Sequence, residues 1–549
     1  MPSLPFRIPA LLGPISALGA LLGALAFAAA LTPSLIPRTG ALQGALAGAA
    51  FALVYGLGVA ARALWGWLGL PLLRAPLLIR LGWAVALLIA LIALNRATDW
   101  QNAVMAAAGQ PPVETARPLI IGLVAAATAT GLIALARLFD SIAHAGAVRL
   151  ARRIPARLAL VISLGLTAWL FWSIGNGVLA RGIVRTLDSS YAQVDALLPP
   201  ELAPPDGALQ TGGPDSLIAW EGLGARGRNH VLSQPDAATI AAVSGQGARD
   251  PLRVYVGVNS AEDPQARAAL ALAELIRINA FSRAHLVIAT PTGTGWIDPA
   301  SLSGLEFLSL GNVASVSVQY SYLPSWLSLL TEPEFGRETA QAVFAAVYGH
   351  WRSLPRDDRP RLWLHGLSLG AYNSEQSFDE WQLLADPFDG AFWVGPPFAA
   401  PRWRRFTETR NRISPAWAPV VGDGSLVRFA TANGLADRRA TPWGPLRILY
   451  LQYPSDAITF FEPAMIWRAP AWLDGPRAPD VPRTLRWVPV VTFLQVLVDL
   501  LTATTPPKGH GHVYAAQDYL AGWQALIEPE GWDADALARL RIWYATQGL

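Results

Sequence analysis

Three widely separated stretches carry residue types suited to acyl transfer. Ser368 lies in Gly366-Leu367-Ser368-Leu369-Gly370, a G-x-S-x-G pattern. Asp456 lies in Tyr453-Pro454-Ser455-Asp456-Ala457, and His510 and His512 lie in Gly509-His510-Gly511-His512-Val513-Tyr514. A serine hydroxyl becomes a useful nucleophile when a neighbouring base takes its proton and a carboxylate orients that base. Where the serine sits on a strand-to-helix elbow, its partners follow in the order Ser, acid, His. That order prunes the candidates: of the seven histidines only His510 and His512 come after Ser368. His512, closest to an expected terminal helix (Ala515–Leu526), is the expected base. His510, between two glycines, is the second choice. Asp456 is the expected acid, with Glu462 as runner-up. An oxyanion hole needs two N–H donors; Leu369, next after the serine, should supply one. The second should come from the loop after an early strand, with Asn259 first and the loop Thr292-Gly293-Thr294-Gly295-Trp296 second.

Other chemistries fit less well. The chain has no cysteine, which excludes disulfides, thiolate metal sites and a cysteine nucleophile. The loop at Thr292–Trp296 lacks the lysine and spacing of a phosphate-binding loop, so no nucleotide is expected. His510-x-His512 has no third histidine or paired carboxylate close by in sequence, so neither a metal nor any other cofactor is expected.

The elbow needs a buried strand before it and a helix after it, and the sequence around it supplies both. Arg361–His365 (RLWLH) reads as a strand, and a helix is expected from the glycine turn through about Leu384. Further strands are expected at Arg253–Val258, Leu286–Thr290, Val313–Tyr320, Ala391–Val394 and Arg447–Tyr453. Helices are expected from Asp263 to Asn279 and from Glu334 to Trp351. Strands apolar on both faces and separated by helices indicate a mostly parallel sheet covered on both sides, an α/β domain over 251–549. Residues 186–250, rich in Pro, Gly and Asp, read as a linker and ordered lead-in.

The first 185 residues have a different character. Of the whole chain, 52% is apolar and only 15% charged. The overall pI near 9.2 resolves into 14 arginines against three acidic residues before residue 186, and an acidic excess after it. Because the basic part is also the most apolar, this balance indicates a membrane region, and no nucleic-acid partner is expected. Five segments are long enough to span a bilayer: Ala10–Leu31, Ala41–Ala61, Pro76–Leu94, Pro118–Ala136 and Leu158–Leu179. Nine loop arginines on one face against five on the other place the N-terminus inside and the catalytic half outside the cytoplasm. No span carries a central Asp, Glu, Lys or His of the kind that transport pathways use.

The stretches RVYVGVNSA, VIATPTGTGWIDP, QYSYLPSWLSLL, HGLSLGAYNSE, LYLQYPSD and GHGHVY resemble those of a family of bacterial membrane-anchored α/β-hydrolases. That family also has a multi-helix N-terminal membrane region, so the resemblance extends over nearly the whole chain. It implies the α/β-hydrolase fold, with Ser368 as nucleophile and Asp456 and a histidine of the GHGH run as partners. It implies no particular substrate. The expected protein is a serine hydrolase of the cytoplasmic membrane that cleaves carboxylic, lipid-like esters and has the lipid bilayer and an ester or acyl substrate as partners. The alternatives are an acyltransferase using the same triad, a transporter or channel with a non-catalytic hydrolase-like domain, and, as a minor option, a serine peptidase. The aromatic-rich stretches Tyr320–Leu330, Phe460–Trp472 and Trp487–Leu501 are expected either in the core of the α/β domain or at the lipid interface, the last as a lid or membrane-dipping helix.

Overall fold

The computed structural model describes residues 16–71, 75–175, 195, 202–323, 328, 333–435 and 441–549. Arg7, Arg74, Arg181 and Arg185 of the arginine count lie outside them, as does the stretch 186–201 apart from Asp195. The chain forms two compact units. One comprises Met1–Val184 and Phe461–Pro506; the other comprises Arg185–Phe460 and Pro507–Leu549.

The first unit is helical: α1 (Ala17–Leu31), α2 (Gly40–Trp67), α3 (Pro76–Ala107), α4 (Pro118–Leu150) and α5 (Ala156–Trp172). Proline opens α3 and α4 at a position where no N–H is needed, and the Thr39 hydroxyl caps α2. Among the described residues, four helices are long and apolar enough to cross a membrane: α2, α3, α4 and the helix Ala156–Gly175 that contains α5. α3 and α4 run well past the apolar segments seen in the sequence. Polar residues such as Arg96, Asp99, Arg137 and Asp140 do not break a helix; α3 ends only near Gly109, at φ +65°. Glycine lets α2 approach its neighbours. A Cβ on Gly44 would lie 2.7 Å from the Ile121 carbonyl oxygen, and one on Gly48 would lie 2.9 Å from the Ala125 Cα.

The segment Phe461–Pro506 belongs to this helical unit and not to the α/β domain over 251–549 expected from sequence. Its helix Val491–Leu501 packs Val491, Leu494 and Val498 on a core that includes Phe27, Leu31, Leu46 and Ile121.

The second unit contains an eight-stranded sheet. Its strands are β1 (Leu252–Val256), β2 (His285–Thr290), β3 (Val313–Val318), β4 (Arg361–Leu367), β5 (Gly390–Val394), β6 (Val427–Thr431), β7 (Gly434–Leu435) and β8 (Arg447–Leu451). Their order is β1-β3-β2-β4-β5-β8-β6-β7. Every pairing is parallel except β6 with β7. All residues of β1, β3 and β5 are buried, as sheet faces covered by helices require. β6 and β7 were not expected from the sequence, where Val427–Thr431 is a short apolar run next to turn residues. The expected helix from the elbow through Leu384 is two helices, Leu369–Ser374 and Glu380–Ala385. Asp379 and Gln382 form a capping box that starts the second helix afresh.

Candidate functional site

β4 lies near the middle of the sheet, between β2 and β5, and ends in the G-x-S-x-G turn. Ser368 has φ +57° and ψ −123°, a strained backbone region for a non-glycine residue. Such strain persists only where the surroundings over-determine it. Here Ser368 N–H donates to the Val394 carbonyl of β5 at 2.9 Å. The flanking glycines have steric reasons to be there. A Cβ on Gly366 would collide with the backbone of Gly370 and Ala371, and one on Gly370 would strike the carbonyls of Thr290 and Pro291. The helix Leu369–Ser374 is held from below by Trp393 Nε1–H, which donates to Ser374 Oγ at 3.0 Å.

Asp456 follows β8, two strands beyond β4 in the sheet. Its carboxylate is fully buried. Oδ1 accepts the Ile458 N–H at 2.9 Å, and Oδ2 accepts the Thr459 hydroxyl at 3.2 Å and the Tyr514 hydroxyl at 2.8 Å. His512 Nδ1 lies 2.7 Å from the same Oδ2. An imidazole anchored this way through Nδ1 presents Nε2 outward, and His512 Nε2 is buried with no protein hydrogen-bond partner among the described residues. The His512 ring passes close over Gly395, where a Cβ would lie 2.8 Å from Cε1. Gly395 directly follows Val394, the residue bonded to Ser368, so the ring and the serine share one end of β5.

Among the sequence-predicted residues, the structure therefore pairs Asp456 with His512. His510 does something different: its backbone closes the loop, with His510 N–H on Pro507 O and Val513 N–H on His510 O. Gly511 N–H donates to Ser455 Oγ at 2.9 Å, which ties this loop to the residue before Asp456.

Asn259 is not brought to the elbow. It lies in the turn Val258–Ser260 after β1, and β3 and β2 separate β1 from β4. Three strand spacings amount to about 14 Å. The loop that abuts the elbow is the one after β2, as the approach of Gly370 to Thr290 and Pro291 shows. Of the two loops that follow early strands, the crossover order sets the one holding Asn259 away from the elbow and leaves Thr292–Trp296, the second choice, beside it.

Tyr514 was not singled out from the sequence as a site residue. Burial pushes its phenol well above the usual range, and the neighbouring Asp456 carboxylate adds to this. It therefore acts as a hydrogen-bond donor to that carboxylate. Its ring stacks on Tyr453 at 4.4 Å between centroids. The Gly-His-Val-Tyr spacing was the only available signal. Two other buried groups near the elbow titrate away from their ordinary values. Burial lowers His365 on β4 to about 4, and raises Glu375, just after the elbow helix, to about 7.

A mostly parallel sheet whose central strand ends in a strained Gly-x-Ser-x-Gly elbow, with a buried Asp–His pair past later strands, defines an α/β-hydrolase. The chain belongs to that family: residues 252–540 match the model of an alpha/beta-hydrolase family, and residues 31–235 match that family's N-terminal model. No curated protein and no solved structure matches the chain.

Proposed function

We propose that the protein is a membrane-bound serine hydrolase that cleaves carboxylic esters through an acyl-enzyme on Ser368. His512 Nε2 takes the Ser368 proton as Oγ attacks the ester carbonyl. The Leu369 N–H and an amide of the Thr292–Trp296 loop stabilise the oxyanion, and the alcohol leaves with the proton from His512. Water then attacks the acyl-enzyme with His512 again as base, and Asp456 holds the imidazole throughout. The observation that carries this reading is the buried His512 Nδ1–Asp456 Oδ2 hydrogen bond of 2.7 Å with Nε2 left for a reactant.

For the substrate class the reading draws on the helical unit. The chain between Asp456 and His512 folds together with the apolar N-terminal helices, which supports esters that partition into a bilayer. We place the protein in the bacterial cytoplasmic membrane with the hydrolase unit on the outer side, as the arginine bias favours. The test of function is ester turnover by the full-length protein. Wild type should show a burst of alcohol release followed by steady hydrolysis, faster once a long-chain ester forms micelles, and Ser368→Ala should show neither phase. Undiminished turnover by Ser368→Ala would overturn the reading. A reporter active only in the periplasm, fused after Leu549, tests the orientation; a signal from a cytoplasm-only reporter instead would reverse it.

A further inference from the structure

The segment Phe461–Pro506 leaves the hydrolase chain five residues after Asp456 and returns six residues before His512. Its two stems thus adjoin the loops that carry Asp456 and His512. The first stem is short and tight: Phe460 N–H bonds Asp456 O at 3.0 Å, and Phe398 N–H bonds Ile458 O at 2.9 Å. At its far end the segment is gripped by a buried ion pair. Arg38 and Asp499 have side-chain exposures of 2% and 0%. Arg38 binds Asp499 Oδ1 with two donors, Nε at 3.0 Å and Nη2 at 2.6 Å. Asp499 Oδ2 accepts the Ser34 hydroxyl and the Leu35 N–H. The remaining Arg38 donors reach Gln495 O at 2.8 Å and Gln43 Oε1 at 3.1 Å, while Gln495 Nε2 binds Thr32 O at 3.0 Å.

This network does more than bury apolar surface. The helix Val491–Leu501 is apolar enough to dock by packing alone, and a buried ion pair adds little net stability over apolar residues of the same volume. What a two-point, fully hydrogen-bonded pair does supply is a fixed register. A second sign of a locked register stands at the start of the same helix. Val490 is β-branched yet held at φ +66°, with its N–H on Ile466 O at 3.0 Å, a conformation that survives only when the surroundings enforce it.

We propose that Arg38 and Asp499 are positioning residues for the reaction: by fixing the register of Phe461–Pro506 in the helical unit, they hold the Asp456–His512 pair at both stems. The inference rests on the function proposed above. A displacement of about 1 Å in a catalytic constellation costs about 10²-fold in rate.

The test uses the full-length protein in nanodiscs and the double substitution Arg38→Met/Asp499→Leu, which removes both charges and leaves none stranded. A soluble short-chain ester reads the site without an interface effect. The expected result is a melting temperature close to wild type, an unchanged KM, and kcat lower by about 10- to 100-fold. If the double variant fails to fold, Arg38→Lys carries the test, since it keeps the charge and gives up the two-point grip; a clear fall in kcat at unchanged KM is expected. A folded variant with wild-type kcat overturns the inference, while Ser368-dependent turnover by the wild type keeps the proposed function standing. Wild-type turnover that survives Ser368→Ala overturns that function and the inference with it.

Discussion

The helical unit and the hydrolase unit solve the packing problem in opposite ways. In the first, α2 approaches α1 and α4 through Gly44, Gly48 and Gly58, with so little room that a Cβ would meet backbone at each. In the second, the largest fully buried side chains include Trp363, Trp393, Trp523, Tyr450 and Tyr453. Lipid tails are as apolar as leucine, so helices among them gain little by hiding apolar surface, and close backbone contact through small residues takes over. In the hydrolase unit, large aromatic surfaces supply the apolar burial instead. Both units bury an arginine–carboxylate pair, Arg38–Asp499 in the helical unit and Arg253–Glu306 in the hydrolase unit, and the hydrolase unit adds the buried Asp456–His512 pair with Tyr514 on the same carboxylate.

That contrast makes separable predictions. The largest effect is expected in the hydrolase unit. His512→Ala should lower kcat by about 10³-fold or more, and His510→Ala should lower it far less, as ester turnover at saturating substrate will show. Equal losses would mean that the loop, and not the His512 imidazole, is the sensitive element. Next is Tyr514→Phe, which removes one of the bonds to Asp456 Oδ2. The expected cost is about 1 kcal/mol of stability and a several-fold fall in kcat. In the helical unit, Gly48→Val should destabilise by about 1–3 kcal/mol through overpacking against α4. Melting in detergent should report this, and hydrolase-unit chemistry should persist below the transition.

The smallest effect on rate comes from Glu375→Gln. Burial raises Glu375 to about 7 from an ordinary value near 4.5, so the folded state holds a proton that the unfolded chain releases. Its contribution is fully present below about pH 4.5 and is lost as the pH rises through about 7. Wild type should therefore melt progressively lower across that window, and Glu375→Gln should flatten the slope with little change in kcat.

Local chemistry made much of the site legible. The glycine-flanked serine after an apolar run, and the order of serine, acid and histidine, led to Ser368, Asp456 and His512, and the last two are hydrogen-bonded in the structure. The apolar spans likewise gave the helical region. What failed depended on long-range arrangement. Asn259 was chosen because it follows the first strand, yet sequence order says nothing of the β1-β3-β2-β4 crossover that puts it three strands away. The apolar run Trp487–Leu501 was compatible with a domain core or a lipid interface. Its assignment to the helical unit depends on Asp499 meeting Arg38, which is 461 residues distant in the chain. No local periodicity carries that information.

The proposed hydrolytic site stands or falls with Ser368 as its nucleophile, activated by His512 and Asp456. Its most direct test is covalent labelling of the full-length protein in membranes with a fluorophosphonate, followed by peptide mapping of the adduct. A single adduct on Ser368 is expected, absent in Ser368→Ala and strongly slowed in His512→Ala. An adduct on another residue, or equal labelling of the Ser368→Ala protein, would contradict it.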